Sequence, residues 1–455
     1  MRHFEIQYCS TDELSNHCGV DYSRADGKIV VMLCESERER AIAIQKAESD
    51  LKGKKSIICV IPRPLRVLGG LLQEVQRWDW VQANVPELAN DNFAAEEVSR
   101  QLSTAADALQ TRLKSLLSLQ HFHSENGPTF FRDGAEIRIS SGRKLLSYLS
   151  ETCDELYRQS PSITNELINR RSLSSAAAAA RGKLIQAIFT AAAKPYLGME
   201  PERKPPEMSM YLSVLKAARL HRETKGGTWT LSIPRKNADP CRVLPALSEI
   251  QRLLDLSETK RLRVSTILES LREPPFGIRN GLGPLLLSIF AAINEQHVAF
   301  YDDGRFMRQV LGLDLMRLFK LPEQFEIQYC RMSGVRTSLF ERLMSALELS
   351  ATKHEKPNVL DIVRPLCVFA AQLPPYSQKT KTLSAAAIAV RTALLNASEP
   401  AVLLFRELPK ACGFGDFIKD DRPRKEIDLF VEALRLSIAA ATRALWSFLD
   451  EGQPE

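Results

Sequence analysis

The sequence lacks the motifs by which proteins bind nucleotide phosphates or form an acyl-enzyme. Its 455 residues contain no Gly-x4-Gly-Lys-Ser/Thr loop, whose backbone N–H groups surround phosphates and whose hydroxyl binds magnesium. The nearest strings depart from it, because Tyr22 stands five residues before Gly27 and Glu48 five residues before Gly53. There is also no Gly-x-Ser-x-Gly segment. We therefore predict no catalytic residue on this chain; an enzyme whose site is assembled only in space stays an alternative.

Metal-binding and membrane-spanning patterns are missing as well. The nine cysteines include no Cys-x-x-Cys pair, and most lie in apolar runs such as Ile57-Ile58-Cys59-Val60, which favours buried free thiols in a reducing compartment. The seven histidines never fall at metal-ligand spacing, so no metal site is predicted. No stretch approaches eighteen uncharged apolar residues, and the N-terminus has no apolar signal region. We expect a cytoplasmic protein with no membrane partner.

The chain also lacks a large excess of positive or negative charge. The chain has 61 basic and 55 acidic residues, a net charge of +6, so any nucleic-acid site must be a local patch. A hydrophobic fraction of 44% with 25% charged residues is ordinary globular composition. At this length two to four domains are expected.

The pattern of apolar residues predicts a mainly α protein with a small α/β part. Two β-branched runs, 28–34 and 56–62, flank a charged helical stretch and predict an N-terminal βαβ remnant. From residue 65 the apolar period becomes 3.6, with Asp91 a candidate N-cap of a long helix. Helical bundles and one or two winged-helix-like modules complete the predicted fold.

Four domains are predicted along the chain, with a Gly- and Pro-containing loop at 120–134 as the first boundary. They are a small α/β unit with a helical extension at 1–120, a helical domain with a first winged-helix-like unit at 121–256, a second winged-helix-like unit at 257–332, and a C-terminal helical domain at 333–455. The first winged-helix-like unit contains a Gly226-Gly227 turn followed by a predicted strand, 228–234. From 335 onwards no strand is predicted.

The second winged-helix-like unit supplies the candidate site. A helix, a Pro-rich turn, an apolar helix beginning at Pro284 and a hairpin centred on Asp303-Gly304 follow the order of such a module. Winged helices contact phosphates through Arg and Lys. The candidate nucleic-acid or partner contacts are therefore Arg261, Arg263, Arg272, Arg279, Arg305 and Arg308. The helix from Pro284 is too apolar to read a groove, so we predict that it is core.

The hexapeptide Phe-Glu-Ile-Gln-Tyr-Cys occurs twice, at 4–9 and at 325–330. The flanking residues share nothing, so no structural repeat is predicted. Either the coincidence is chance, or the two segments are strands of similar environment.

A set of short strings spread over most of the chain carries a family resemblance. The strings include Ile163-Thr164-Asn165-Glu166-Leu167-Ile168-Asn169-Arg170, Pro205-Pro206-Glu207, Pro274-Pro275-Phe276-Gly277-Ile278-Arg279, Phe300-Tyr301-Asp302-Asp303-Gly304 and Leu404-Phe405-Arg406-Glu407-Leu408-Pro409. Together they resemble the region downstream of the ATPase core in large BREX-type P-loop ATPases of bacterial antiphage defence, although the Walker motifs of that family are missing.

The resemblance implies a non-catalytic scaffold that contacts double-stranded DNA or other components of a defence complex. It implies no cofactor on this chain, with ATP handled by a separate chain or a missing N-terminal portion. We also expect an oligomer. The alternative is a stand-alone winged-helix DNA-binding regulator.

Overall fold

The computed structural model describes residues 2–64, 66–89, 91–117, 127–203, 205–257, 260–308, 310, 312–330, 337–347, 359–417 and 424–451. The protein is mainly helical with a small N-terminal mixed sheet, as predicted. In the part of the chain that is described, no helix combines the length and apolar character needed to cross a membrane.

The strands of the described residues form three sheets. In chain order they are β1 (Phe4–Cys9), β2 (Gly27–Met32), β3 (Ile57–Ile61), β4 (Thr129–Arg132), β5 (Ala135–Ile137), β6 (His221–Glu223), β7 (Trp229–Leu231), β8 (Leu262–Arg263), β9 (Val298–Asp302), β10 (Arg305–Phe306) and β11 (Phe325–Tyr329).

The helices are α1 (Glu37–Asp50), α2 (Arg66–Asn84), α3 (Asn92–Leu117), α4 (Gly142–Leu156), α5 (Glu166–Asn169), α6 (Ser175–Thr190), α7 (Pro206–Met210), α8 (Leu244–Asp255), α9 (Val264–Arg272), α10 (Leu282–Ile293), α11 (Gly312–Lys320), α12 (Thr337–Ala346), α13 (Val359–Gln372), α14 (Pro375–Lys379), α15 (Ala385–Leu395), α16 (Pro400–Val402), α17 (Leu408–Ala411) and α18 (Arg424–Glu451). Two π-helical segments, Tyr211–Lys216 and Leu403–Glu407, continue α7 and α16.

The chain forms two compact units, Met1–Arg158 and Gln159–Glu455. In the first unit the sheet order is β1-β2-β3-β4-β5, with β1, β2 and β3 parallel and β4 and β5 antiparallel to their neighbours. The predicted βαβ is confirmed as β2-α1-β3. Its core lies between the sheet and α1, where Val30, Met32 and Ile57 pack against Ala43 and Ala47.

The predicted loop at 120–134 differs from the structure in its described part. Residues 129–132 form β4, because Phe130 and Phe131 are buried in the sheet and pair with Val60 and Cys59 of β3. The predicted boundary after 120 therefore lies within the first compact unit, since β4 and β5 extend its sheet. Residues 118–126 lie outside the described part. The division into four domains stays a prediction.

A long helical hairpin, α2 and α3, also belongs to the first unit. The backbone N–H of Ala94 donates to Asp91 Oδ1 at 3.0 Å, so the predicted N-cap of the long helix is confirmed. The two helices pack chiefly against each other.

In the second unit, α8, β8, α9, α10 and the β9–β10 hairpin follow each other in winged-helix order. The sheet order is β10-β9-β11-β8, so β11 completes the sheet after α11. Every residue of α10 from Leu282 to Ala291 is buried. The prediction that this helix is core is therefore confirmed, and it has no free face to insert into a groove.

The C-terminal part contains α12 to α18 around a core that includes Leu366, Leu394 and Phe430. Its described residues from 337 onwards form no strand, as predicted. Leu373 and Pro374 separate α13 from α14.

Candidate nucleic-acid interface

Arg261, the first of the predicted contact residues, is engaged within the fold. Its guanidinium donates to Gly304 O at 2.8 Å and Ser398 O at 3.1 Å, and lies 3.2 Å from Glu399 Oε1. It also stacks over the Tyr301 ring at 4.0 Å, and its side chain is only 19% exposed. Arg261 thus ties the β9–β10 hairpin to the residues that precede α16.

Three further predicted arginines are also held by neighbouring groups. Arg272 donates to Asn280 Oδ1 at 3.2 Å, next to the turn that joins α9 and α10. Arg279 is half-buried in that turn and has interactions of its own. Arg308 donates to Leu395 O. Arg272 and Arg308 therefore use their guanidinium groups for hydrogen bonds within the fold, and Arg279 also interacts within the protein.

Arg263 and Arg305 are exposed, but acidic residues lie beside them. Arg263 stands opposite Glu326 in the β8–β11 register, and Arg305 stands opposite Asp302 in the β9–β10 register. We call residues 298–308 the second wing. It contains two acidic and two basic residues, a net charge of zero. Each of the six predicted arginines thus either interacts within the protein or stands opposite an acidic residue.

The other hairpin of the second unit, β6–β7, has a different composition. We call residues 216–236 the first wing. It contains six basic residues and one acidic residue, Glu223, a net charge of +5 in 21 residues. The six basic residues are Lys216, Arg219, Arg222, Lys225, Arg235 and Lys236, and all six are exposed.

None of the six cations is within ion-pair distance of a carboxylate in the residues that the structure describes. Arg222 Nε donates instead to Ser232 Oγ at 3.0 Å, which orients its guanidinium without neutralising it. The Lys216 ammonium lies 5.3 Å from the centre of the Tyr196 ring. Among the described residues no ion pair offsets the repulsion among these six charges, which is the electrostatic character of a surface that binds a polyanion.

A buried aromatic cluster anchors the base of the first wing. Tyr211 Oη lies 2.9 Å from His221 Nδ1, and His221 Nε2 lies 2.9 Å from Ala192 O. A carbonyl can only accept, so Nε2 carries the proton and Nδ1 accepts from the tyrosine hydroxyl. The His221 ring also packs on Trp229, 5.0 Å between centres. Burial lowers the pKa of His221, against the opposing effect of the Ala192 hydrogen bond.

The backbone beneath the wing is unusual. Tyr211–Lys216 is π-helical. Tyr196, Leu197 and Arg219 have backbone φ angles of 52°, 55° and 57°, which residues other than glycine rarely adopt. Such π-helical turns and left-handed residues concentrate at functional sites. The hairpin itself is closed by Thr224 N–H donating to Thr228 O at 2.7 Å, with Gly227 at φ 76° in its turn. The cations therefore project from a fixed support.

The helix that precedes the first wing has little to offer a base edge. Asn165 Nδ2 donates to Ser209 O at 3.2 Å and to Ser213 Oγ at 2.8 Å, so the two serines of α7 and its π-helical continuation are already bonded. Met208, Met210 and Val214 are buried. Phosphate contact by the wing is thus favoured over reading of base sequence.

A cavity of about 430 Å³ also lies in the second unit, lined in part by Thr190, Glu295, Arg308, Arg364 and Gln372. Arg364 donates to Glu295 O at 2.7 Å and Val298 O at 2.6 Å, just beyond the end of α10. Arg364 thus serves the backbone at the end of that helix. The Thr190 hydroxyl in this lining donates to Gln186 O at 2.9 Å.

Sequence reasoning passed over the first wing although its signal was present. The Gly-Gly turn and the following strand were identified, but the charges flanking them were not counted. No protein-family model, curated protein or solved structure matches this chain.

Proposed function

We propose that the protein binds double-stranded DNA without sequence preference, through the first wing. The observation that carries the proposal is the set of six exposed cations on one anchored hairpin and the residues that flank it. Each cation that approaches a phosphate releases condensed counterions, and this gain does not depend on the base sequence. The buried α10 and the bonded serines of α7 and its π-helical continuation remove the two helices that would otherwise read bases.

A shared role for the two wings is not favoured by the charges. The second wing is neutral overall. Its anchor, Arg261, is already bonded to the Gly304 and Ser398 carbonyls and to the Glu399 carboxylate. The contact role that the sequence suggested for Arg261, Arg263, Arg272, Arg279, Arg305 and Arg308 stays a prediction. The first wing is the stronger candidate because its positive charge is concentrated and exposed.

The direct test is a titration of two fluorescent duplexes of about 30 base pairs and unrelated sequence, followed by anisotropy at low salt. Both should bind with similar affinity. The variant with Arg219, Arg222, Lys225 and Arg235 all changed to Gln should bind neither at the same protein concentrations. Glutamine keeps much of the side-chain length and avoids new repulsion. Failure of the unmodified protein to bind either duplex at low salt would overturn the proposal, as would equal binding by the glutamine variant.

The wider role that the resemblance implies is a scaffold of an antiphage ATPase assembly, with ATP hydrolysed on another chain or domain. DNA binding by the first wing would let such a scaffold hold duplex DNA next to the ATPase. The test is a search for a P-loop ATPase gene beside this chain's gene, followed by reconstitution with its product; the absence of such a gene would contradict this role. Duplex DNA should stimulate hydrolysis only when the first wing is intact. An unchanged response with the glutamine variant would separate the DNA contact from the assembly.

A further inference from the structure

The helical hairpin α2–α3 leaves most of its surface uncovered. At 1.5 Å per residue, α3 is roughly 39 Å long and α2 roughly 29 Å. Of the described side chains on these helices, only Leu68, Val98 and Ala105 are buried. The other described side chains of the two helices are half-buried or exposed, so most of the hairpin's outer surface has no cover from the described part of the first unit.

Large apolar side chains lie on those outer faces. Leu72 is 47% exposed, Trp80 61% and Phe93 86%. Leu72 and Trp80 are eight residues apart along α2, while Trp80 and Phe93 lie near the turn that joins the two helices. Exposed aromatic side chains of this size are characteristic of protein–protein contacts.

The charges of the hairpin are separated along its length. Its tip, residues 74–97, contains six acidic residues and one basic residue, a net charge of −5. Its base, residues 66–73 and 98–117, contains four basic residues and one acidic residue, a net charge of +3. A nucleic acid would be repelled by the tip. A second hairpin of the same sequence, running the opposite way, would place each tip against a base.

We infer that the hairpin is the interface between two copies of this chain, paired antiparallel about a two-fold axis. Such an interface uses the same patch on both copies, which the opposed charges of tip and base allow. Antiparallel pairing also places Trp80 and Phe93 of each copy alongside the base of the other, where they are covered. Helices about 10 Å wide and of these lengths offer a face of roughly 700 Å² per copy, close to the ~800 Å² of a standard interface.

Sedimentation of the full chain tests the inference. At low salt the protein should sediment at about twice the 51.1 kDa of one chain. Glu87→Lys with Glu96→Lys in the tip should raise the dimer dissociation constant at least roughly tenfold, because two attractions become repulsions. Glu48→Lys with Glu151→Lys is the matched control, since it changes the net charge equally on exposed positions of α1 and α4 and should leave the dimer intact.

A charge swap makes the test specific to antiparallel pairing. Arg112→Glu with Lys114→Glu in the base should also weaken the dimer, and adding both base changes to the tip variant should restore it. Arg100 is left in place because it pairs with Glu97 of its own helix at 2.6 Å. Circular dichroism checks that each variant keeps its helices. A monomer at every concentration would overturn the inference, as would a dimer indifferent to the tip changes, or failure of the combined variant to recover. These outcomes do not depend on DNA binding, so each proposal can fail without the other.

Discussion

Both wings of the second unit contain a short antiparallel hairpin with a glycine at the turn. They differ in whether their charged residues are engaged by other groups of the fold. The second wing is tied to charged groups of the fold: Arg261 donates to Gly304 O, Arg317 lies 2.5 Å from Asp302 Oδ2, and Arg305 stands opposite Asp302. In the first wing a neutral cluster of Tyr211, His221 and Trp229 does the anchoring. Because the first wing is anchored without its cations, these remain available at the surface.

The comparison explains why the number of arginines near a winged-helix pattern does not show which of them are available to a ligand. An arginine makes five hydrogen-bond donors available, and inside a fold it is an effective clamp on backbone carbonyls. Arg261, Arg308 and Arg364 all act in this way. Only positions without such partners can contribute to a polyanion site.

The largest expected effect concerns α10, because the burial of this helix distinguishes the second winged-helix-like unit from a winged helix that reads DNA. Leu285→Ala should lower the free energy of unfolding by about 3 kcal/mol, because it leaves a cavity in the core around a fully buried side chain. Urea denaturation measures this. Leu212→Ala, at a half-exposed position before the first wing, is the control and should cost less than about 1 kcal/mol. A loss below 1 kcal/mol for Leu285→Ala would reopen a groove-reading role for α10.

The next effect is on DNA affinity. Arg222→Glu with Lys225→Glu should weaken duplex binding by about 30-fold at low salt, roughly 2 kcal/mol, because two phosphate contacts become repulsions. Both positions are exposed and outside the aromatic anchor, so the thermal midpoint should hardly change. Anisotropy titration and thermal melting measure the two quantities. Unaltered affinity would remove the first wing from the account.

A smaller effect depends on pH and separates the two anchors. Burial lowers the pKa of His221 in the folded state, so below the ordinary histidine pKa of about 6.5 the unfolded chain takes up a proton that the folded chain resists. Stability from this group is therefore fully present above that pH and decreases as pH falls.

Between pH 7.5 and 5.5 this should cost up to about 1 kcal/mol in the free energy of unfolding. His221→Gln should remove that part of the pH dependence, whereas Arg261→Gln in the anchor of the second wing should retain it. Urea denaturation at both pH values compares the three proteins. An identical pH dependence in the unmodified protein and His221→Gln would show that His221 is not held neutral.

The smallest effect is expected at the second wing. Arg263→Glu with Arg305→Glu adds the same change in charge as the first-wing variant, but at positions flanked by Glu326 and Asp302. Duplex affinity should fall less than about threefold, under roughly 0.7 kcal/mol. The same anisotropy titration applies. A loss equal to that of Arg222→Glu with Lys225→Glu would abolish the distinction between the wings.

Local patterns predicted much of the fold. The βαβ, the Asp91 cap and the buried α10 follow from β-branched runs, a capping residue and an apolar helix, which are properties of short segments. The candidate site required knowledge of partners distant in sequence. Arg261 and Glu399 are separated by 138 residues, and nothing near Arg261 indicates that contact.

The repeated hexapeptide shows the same limit in one comparison. Both segments are strands, but β1 is the edge strand of its sheet and leaves Ile6 56% exposed, whereas β11 lies between β9 and β8 and buries Ile327 completely. The environments of the two strands therefore differ, although their residues are identical. Burial is set by what packs on a strand, and six residues do not encode that.

The most direct test of the account is the dependence of DNA binding on salt. The slope of the logarithm of the binding constant against the logarithm of salt concentration is about −0.9 per phosphate neutralised. If the six cations of the first wing make the contacts, the unmodified protein should give a slope of roughly −5 between about 50 and 200 mM salt. Arg222→Glu with Lys225→Glu should make it shallower by about 2. A slope near zero, or one that this variant leaves unchanged, would contradict the account.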